Sequence, residues 1–184
     1  MKQHFGDEIE ITWKSFLLRT EPKTTARPKF VAYTEGWTRM ADMEPRATFR
    51  PWSNDTTNDP PSSSLPAQVA HKVVAGNWPD KSEALHWRLL EAYFAENRTI
   101  SDWDVLTDVA VEAGVDRDEF ASISREQRQS ASQLVIDEHN GAINQSITAV
   151  PTVVINQVLP VPGAQESATY ISWIERLLER EANG

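Results

Sequence analysis

The chain contains no cysteine, which removes disulfides, thiolate nucleophiles and thiolate metal ligands together. Its four histidines, His4, His71, His86 and His139, are scattered and lack the short spacings of a metal centre. His71, behind Ala70 on a short predicted helix, has the residue type of a general base. A histidine so placed ordinarily packs in a core or lies on the surface. Among the seven tryptophans, Trp37, Trp87, Trp103 and Trp173 fall at helical positions, where packing is the ordinary explanation. Trp52 and Trp78 fall in loops and are the better candidates for lining a substrate groove. One further feature is a backbone feature: Val150-Pro151-Thr152 enters a β-branched run. An X–Pro bond is cis in only about 5–6% of cases, so taken alone this step is an ordinary trans strand start.

The elements that must position these residues belong to a globular chain of 184 residues, 40% hydrophobic and 24% charged. The net charge of −9 excludes a generic nucleic-acid binder, which needs a basic face, and the acidic residues spread over helix faces as solvated surface. No apolar run approaches the roughly 18–20 residues that span a bilayer, and Met1–Asp7 carries no apolar signal core. A cytoplasmic location is therefore expected.

Glu8–Phe16 alternates Ile9, Ile11 and Trp13 with polar residues, the period of a strand with one buried face, behind a turn at Gly6-Asp7. Met1–Phe5 reads as the tail of a helix. A helix is predicted over Pro28–Met43, with Pro28 at its start, and a long loop over Trp52–Pro66. From Ala67 to about Ala142 the pattern is helical. Ala67–Ala75 is followed by Ser82–Asn97 with Leu85, Leu89, Leu90, Tyr93 and Phe94 on one face. Next comes a helix behind a capping box at Ser101-Asp102-Trp103-Asp104, closed by Gly114. A short helix capped by Asp116 and a separate one over Arg125–Asn144 complete the region. Thr152–Ile155 reads as a strand buried on both faces, Asn156-Gln157 as a turn and Val158–Val161 as the returning strand. Ser167–Ala182 is a closing amphipathic helix.

The run from Ile147 through Val150-Pro151-Thr152-Val153-Val154-Ile155 to Asn156, then Pro162-Gly163-Ala164-Gln165 and the last helix, resembles the C-terminal half of DsbA-family thioredoxin-like proteins. The likeness points to the FrnE-like branch and the 2-hydroxychromene-2-carboxylate isomerases. Glu83-Ala84-Leu85-His86 through Tyr93-Phe94 is similar to the family's second insertion helix. Ile100-Ser101-Asp102, Val105-Leu106 and Glu112–Asp116 are similar to the next helix and its turn, and the segment ending in Trp13–Leu18 to the family's second strand. The motifs are short; their order and spacing over nearly the whole chain make the likeness specific.

The resemblance implies an α/β thioredoxin-like fold, formed by residues 1–26 and 146–184, with a helical insertion over 27–145. It implies a cis Val150–Pro151 bond facing the active site, with the Val150 backbone turned outward to pair with an extended peptide or glutathione. In the family a first strand and a C-x-x-C turn at the start of the first helix precede the strand assigned to Ile9–Phe16. Met1 matches a position near the end of that helix, so the first strand, most of that helix and the turn are expected to be missing. Gln157 stands where a turn glycine is common and Pro162 where a small polar residue is common.

The implied function is that of a thiol–disulfide oxidoreductase family member, inactive as written, with no catalytic residue, no metal and no bound cofactor. Its partners would be a peptide or protein thiol, or glutathione, held by Val150, Pro151, Trp52 and Trp78; no nucleic acid or membrane is implied. A glutathione-dependent isomerase or transferase and a non-catalytic thioredoxin-like binding module are the alternatives. Strand edges left open by a missing inner strand would favour aggregation or a homo-oligomer.

Overall fold

The computed structural model describes residues 1–182, without the side chains of residues 2, 181 and 182. The chain forms two compact units, one of Leu17–Asp137 and one of Met1–Phe16 with Glu138–Gly184.

The first of these is helical: α2 (Arg27–Thr34), α3 (Trp37–Met43), α4 (Leu65–Asn77), α5 (Pro79–Phe94), α6 (Trp103–Glu112) and most of α7 (Arg117–Asn144), with α1 (Lys2–Phe5) lying in the other unit. The single helix expected over Pro28–Met43 is two. It breaks at Glu35-Gly36, where glycine lowers helix propensity. The buried Thr34 hydroxyl donates to the Val31 carbonyl at 3.0 Å and accepts the backbone N–H of Trp52 at 3.0 Å, docking the following loop on the break.

Two apolar clusters hold this unit. Val69, Val73, Val74, Leu85, Leu106, Val109, Phe120 and Val135 belong to the larger, drawn from α4 to α7. Phe30, Trp37 and Trp52 form the smaller, with Phe49, Tyr93 and Phe94 packed against it. The α6 N-cap is Asp102, whose carboxylate accepts the Asp104 N–H at 2.8 Å. The expected Ser101 cap is corrected by this geometry, because the Ser101 hydroxyl accepts the Ser62 N–H at 3.3 Å instead. Gly114, at φ +91°, closes α6 as expected, since the left-handed region favours glycine.

Asp116 caps α7 by accepting the Asp118 and Glu119 N–H groups, both at 3.0 Å. The two helices expected beyond it are one continuous helix. Ser124 and Ser130 turn their hydroxyls back onto the carbonyls of Ala121 and Gln127, so they do not compete with the helical ladder. Phe120, Ala131 and Val135 meanwhile bury one side of it.

In the other unit, α1 leads into a 3-10 turn (Gly6–Glu8) and then an extended segment over residues 9–16 that forms no strand. This corrects the expected strand at Glu8–Phe16. Alternation supplies a face but not a neighbour, and a strand exists only where a ladder satisfies its backbone. Here the segment is secured through Ser15 and Lys14 to Glu138 on α7, and Phe16 meets the His139 ring edge-on at 4.9 Å.

Among the described residues the sheet has two strands, β1 (Thr152–Ile155) and β2 (Leu159–Pro162), paired antiparallel as Thr152↔Pro162, Val153↔Val161, Val154↔Pro160 and Ile155↔Leu159. Contrary to expectation, β1 is not buried on both faces. Ile155 is buried, but Val153 and Val154, pointing to opposite faces, are 40% and 37% exposed, as befits an edge strand. Asn156 and Gln157 turn the hairpin with φ of 48° and 60°, and the Val158 N–H donates to the Ile155 carbonyl at 3.1 Å. The closing helix α8 spans Ser167–Ala182, and its Tyr170 hydroxyl donates to the Gly163 carbonyl at 3.2 Å.

Candidate substrate-strand site

The Val150–Pro151 peptide bond is cis, as the family resemblance implies. Val150 is 45% exposed, and Pro151 is exposed as well. The loop before β1 is fixed by the Thr152 hydroxyl, which donates to the Ala149 carbonyl at 2.7 Å.

One hydrogen bond sets the phase of the hairpin: the Gly163 N–H donates to the Pro151 carbonyl at 2.8 Å. Antiparallel pairs alternate between hydrogen-bonded and non-hydrogen-bonded. With the observed register, Pro151, Val153 and Ile155 therefore turn their backbone groups toward β2. Thr152 and Val154 turn theirs away from it, along the edge of β1 that no strand covers among the described residues. The result is a short backbone surface of donors and acceptors beginning at the cis bond, with no ionisable side chain in it.

The two tryptophans expected to line a groove lie in the helical unit. Trp52 is only 2% exposed and fills the smaller aromatic cluster, its ring edge-on to Phe30 at 5.3 Å. That corrects its assignment to a groove, because a loop position in sequence becomes a core position once Thr34 anchors its backbone. Trp78 is partly buried against the larger cluster at the junction of α4 and α5, its backbone N–H donating to the Val74 carbonyl at 2.8 Å.

His71 is buried, with Nε2 3.2 Å from the Ser82 hydroxyl and its ring 5.7 Å from that of His86. The contact joins α4 to α5. A serine–histidine contact is one part of a nucleophilic site, which also needs a group orienting the imidazole and donors for an oxyanion. Burial pushes His86 below the usual histidine range, against the pull of Glu83.

A cleft between α6 and α7, not anticipated from sequence, is lined by Trp103, Asp104, Thr107, Ser124 and Arg125, with Arg128 stacked 3.8 Å from the Trp103 ring centre. Its signal is a tertiary one, because Trp103 and Arg128 come from different helices. Among the described residues, no group of three or more His, Asp or Glu is placed to hold a metal ion, and no helix is long and apolar enough to cross a membrane.

Comparison with known proteins agrees with this architecture. Residues 1–174 match the DSBA-like thioredoxin domain. The uncharacterized protein YwbO of Bacillus subtilis is 27% identical over 161 residues, 86% of this chain and 78% of that protein. A probable DsbA oxidoreductase from Streptomyces coelicolor superposes with a TM-score of 0.70 at 19% identity, covering 92% of this chain and 76% of that one. The cytosolic disulfide reductase DsbM from Pseudomonas aeruginosa, solved with GSH, gives a TM-score of 0.63 at 15% identity, over 91% and 82% of the two chains. At these identities the structures speak for the fold. With a cis Val150–Pro151 step leading into a C-terminal hairpin and helix, and a family match over nearly its whole length, this cysteine-free chain belongs to the DSBA-like thioredoxin domain family.

Proposed function

We propose that the chain holds an extended peptide thiol, or glutathione, against the backbone at Val150 and does not itself exchange disulfides. The observation that carries this reading is an exposed backbone edge, starting at Val150, in a chain without a single cysteine. Strand addition needs main-chain donors and acceptors at an open edge, and it tolerates almost any side chain there. Thiol–disulfide exchange needs an attacking thiolate, and the chain holds none. Glutathione enters the reading because the DsbM structure was solved with GSH, and a reducing, cytoplasmic setting because DsbM is a cytosolic reductase. The finer kinship with FrnE-like proteins, and a sheet short of an inner strand between residues 9–16 and Thr152–Ile155, belong to the same reading.

The test is an amide NMR titration with reduced glutathione and, separately, with a short extended peptide carrying a thiol. Shifts centred on Val150 and Thr152 are expected, with insulin reduction by dithiothreitol no faster than in a heat-killed control. Disulfide turnover above that control, or shifts confined to Leu17–Asp137, would overturn the reading.

A further inference from the structure

The two walls of the cleft between α6 and α7, both within the helical unit, offer opposite hydrogen-bonding groups. On α6, Asp104 presents a carboxylate, which when ionised can only accept. Thr107 commits its hydroxyl proton to the Trp103 carbonyl at 2.8 Å, leaving its oxygen to accept as well. On α7, the guanidinium groups of Arg125 and Arg128 can only donate. Ser124, 2% exposed, makes a long 3.5 Å contact with the Ala121 carbonyl and can turn its proton to a stronger acceptor.

The charges facing this cleft are left without partners in a chain where carboxylates are in excess. No Asp or Glu stands three or four positions from Arg125 or Arg128 on α7, and the two arginines, three apart, repel each other. Arg27, Arg88, Arg98 and Arg117 of the same unit each hold a carboxylate. Arg125, Arg128 and Asp104 hold no ion pair among the described residues, although all three line one cleft. Arg128 is kept in place by the Trp103 ring, 3.8 Å away, which covers one face of the guanidinium and leaves the N–H groups along its edge to donate.

We infer that the cleft is a binding site for a small zwitterion, a free α-amino acid with a short side chain. Its carboxylate faces the α7 wall, where Arg125, Arg128 and Ser124 donate. Its ammonium faces the α6 wall, where Asp104 and Thr107 accept. A plain anion would leave Asp104 as a like charge beside it, and a plain cation would meet two guanidinium groups. A molecule carrying both signs answers every charged group of the cleft. The volume of about 150 Å³, against the ~30 Å³ that a water takes up, admits roughly five to eight non-hydrogen atoms, the size of glycine, alanine or serine.

The test is an amide NMR titration of the full chain with glycine, L-alanine and L-serine. None of these carries a thiol or an extended backbone, so the titration reads the cleft independently of the Val150 edge. At least one of them should give saturable shifts centred on Thr107, Ser124 and Arg125. Propionate and ethylamine, which carry one charge each, and inorganic phosphate should bind about tenfold more weakly or worse. Asp104 and Arg125 are exposed, so Asp104→Asn and Arg125→Gln should leave the circular dichroism and Tm unchanged. Each should weaken the amino acid roughly tenfold or more, the loss expected for one charge-assisted hydrogen bond. Propionate or phosphate binding as tightly as the amino acids would make this a plain anion site and overturn the inference. So would the lack of a saturable shift with all three amino acids, or an affinity that neither variant changes.

Discussion

The backbone N–H of Ser15 donates to Glu138 Oε2 at 2.7 Å, while Lys14 Nζ lies 3.2 Å from Oε1 of the same carboxylate. A segment with the alternation of a strand is thereby held by a side chain on α7 rather than by a neighbouring strand. The bond is charge-assisted, Ser15 is buried and the Glu138 side chain is only 10% exposed. All three raise its worth above that of a surface contact. Glu138→Ala should cost about 1.5–3 kcal/mol and speed hydrogen exchange at Ser15 most of all. Glu138→Gln, which keeps an acceptor, should cost less. Unchanged exchange at Ser15 in the alanine variant would show that the segment is held some other way.

Trp52 fills the smaller cluster, yet its indole N–H is buried with no hydrogen-bond partner among the described residues. Trp52→Ala should therefore lose about 3–5 kcal/mol in urea unfolding, the usual cost of emptying a large aromatic site. Trp52→Phe should lose much less, since it keeps a ring against Phe30 and removes the unsatisfied donor. Equal losses in the two variants would mean that the ring contacts are not what holds this cluster.

Gln157 sits at φ 60°, in the left-handed region where an L side chain costs about 1–2 kcal/mol. Gln157→Gly removes that cost and gives back part of it, roughly 0.4–1 kcal/mol, through the freer unfolded chain. A net gain of up to about 1.5 kcal/mol is expected. Asn156→Gly should gain less, because asparagine tolerates φ 48° better than glutamine tolerates 60°. Thermal unfolding of both variants decides the order.

Arg88 bridges Glu91 at 2.6 Å and Glu96 at 3.1 Å and also contacts Glu112, while Arg98 reaches Glu112 at 2.9 Å. The Arg88 hydrogen bond holds Glu96 below the usual carboxylate range. Burial pushes Glu112 up, but Arg88 and Arg98 together outweigh it and leave it lowered as well. Carboxylates lowered on folding contribute fully above their unfolded value of 4.5, and the contribution is lost as pH falls through the folded values. The Tm difference between the wild-type chain and Arg88→Met should therefore be constant near neutrality and shrink in the acid range. Each pair is solvent-facing and worth only ~0.2–1 kcal/mol, so high salt should shrink the difference too. A difference independent of pH and salt would mean that Arg88 acts through its aliphatic stem.

What the sequence determined by itself were properties set by nearby residues. Asp116 and Gly114 bound their helices because a cap needs only the adjacent turn, and Asn156-Gln157 reverses the hairpin because a turn is four residues long. The absence of thiolate chemistry follows from composition, and the outline of Ser167–Ala182 from helical periodicity. Tertiary structure decided whatever depends on a distant partner. Residues 9–16 carry the period of a strand but form none, since periodicity cannot supply the neighbouring strand. Val153 and Val154 are β-branched like an inner strand yet lie at an edge for the same reason. Trp52 moved from a supposed groove to a core because Thr34, eighteen residues away, takes its backbone N–H. A hydrogen bond or a packed ring belongs to two residues at once, and one stretch of sequence names only one of them.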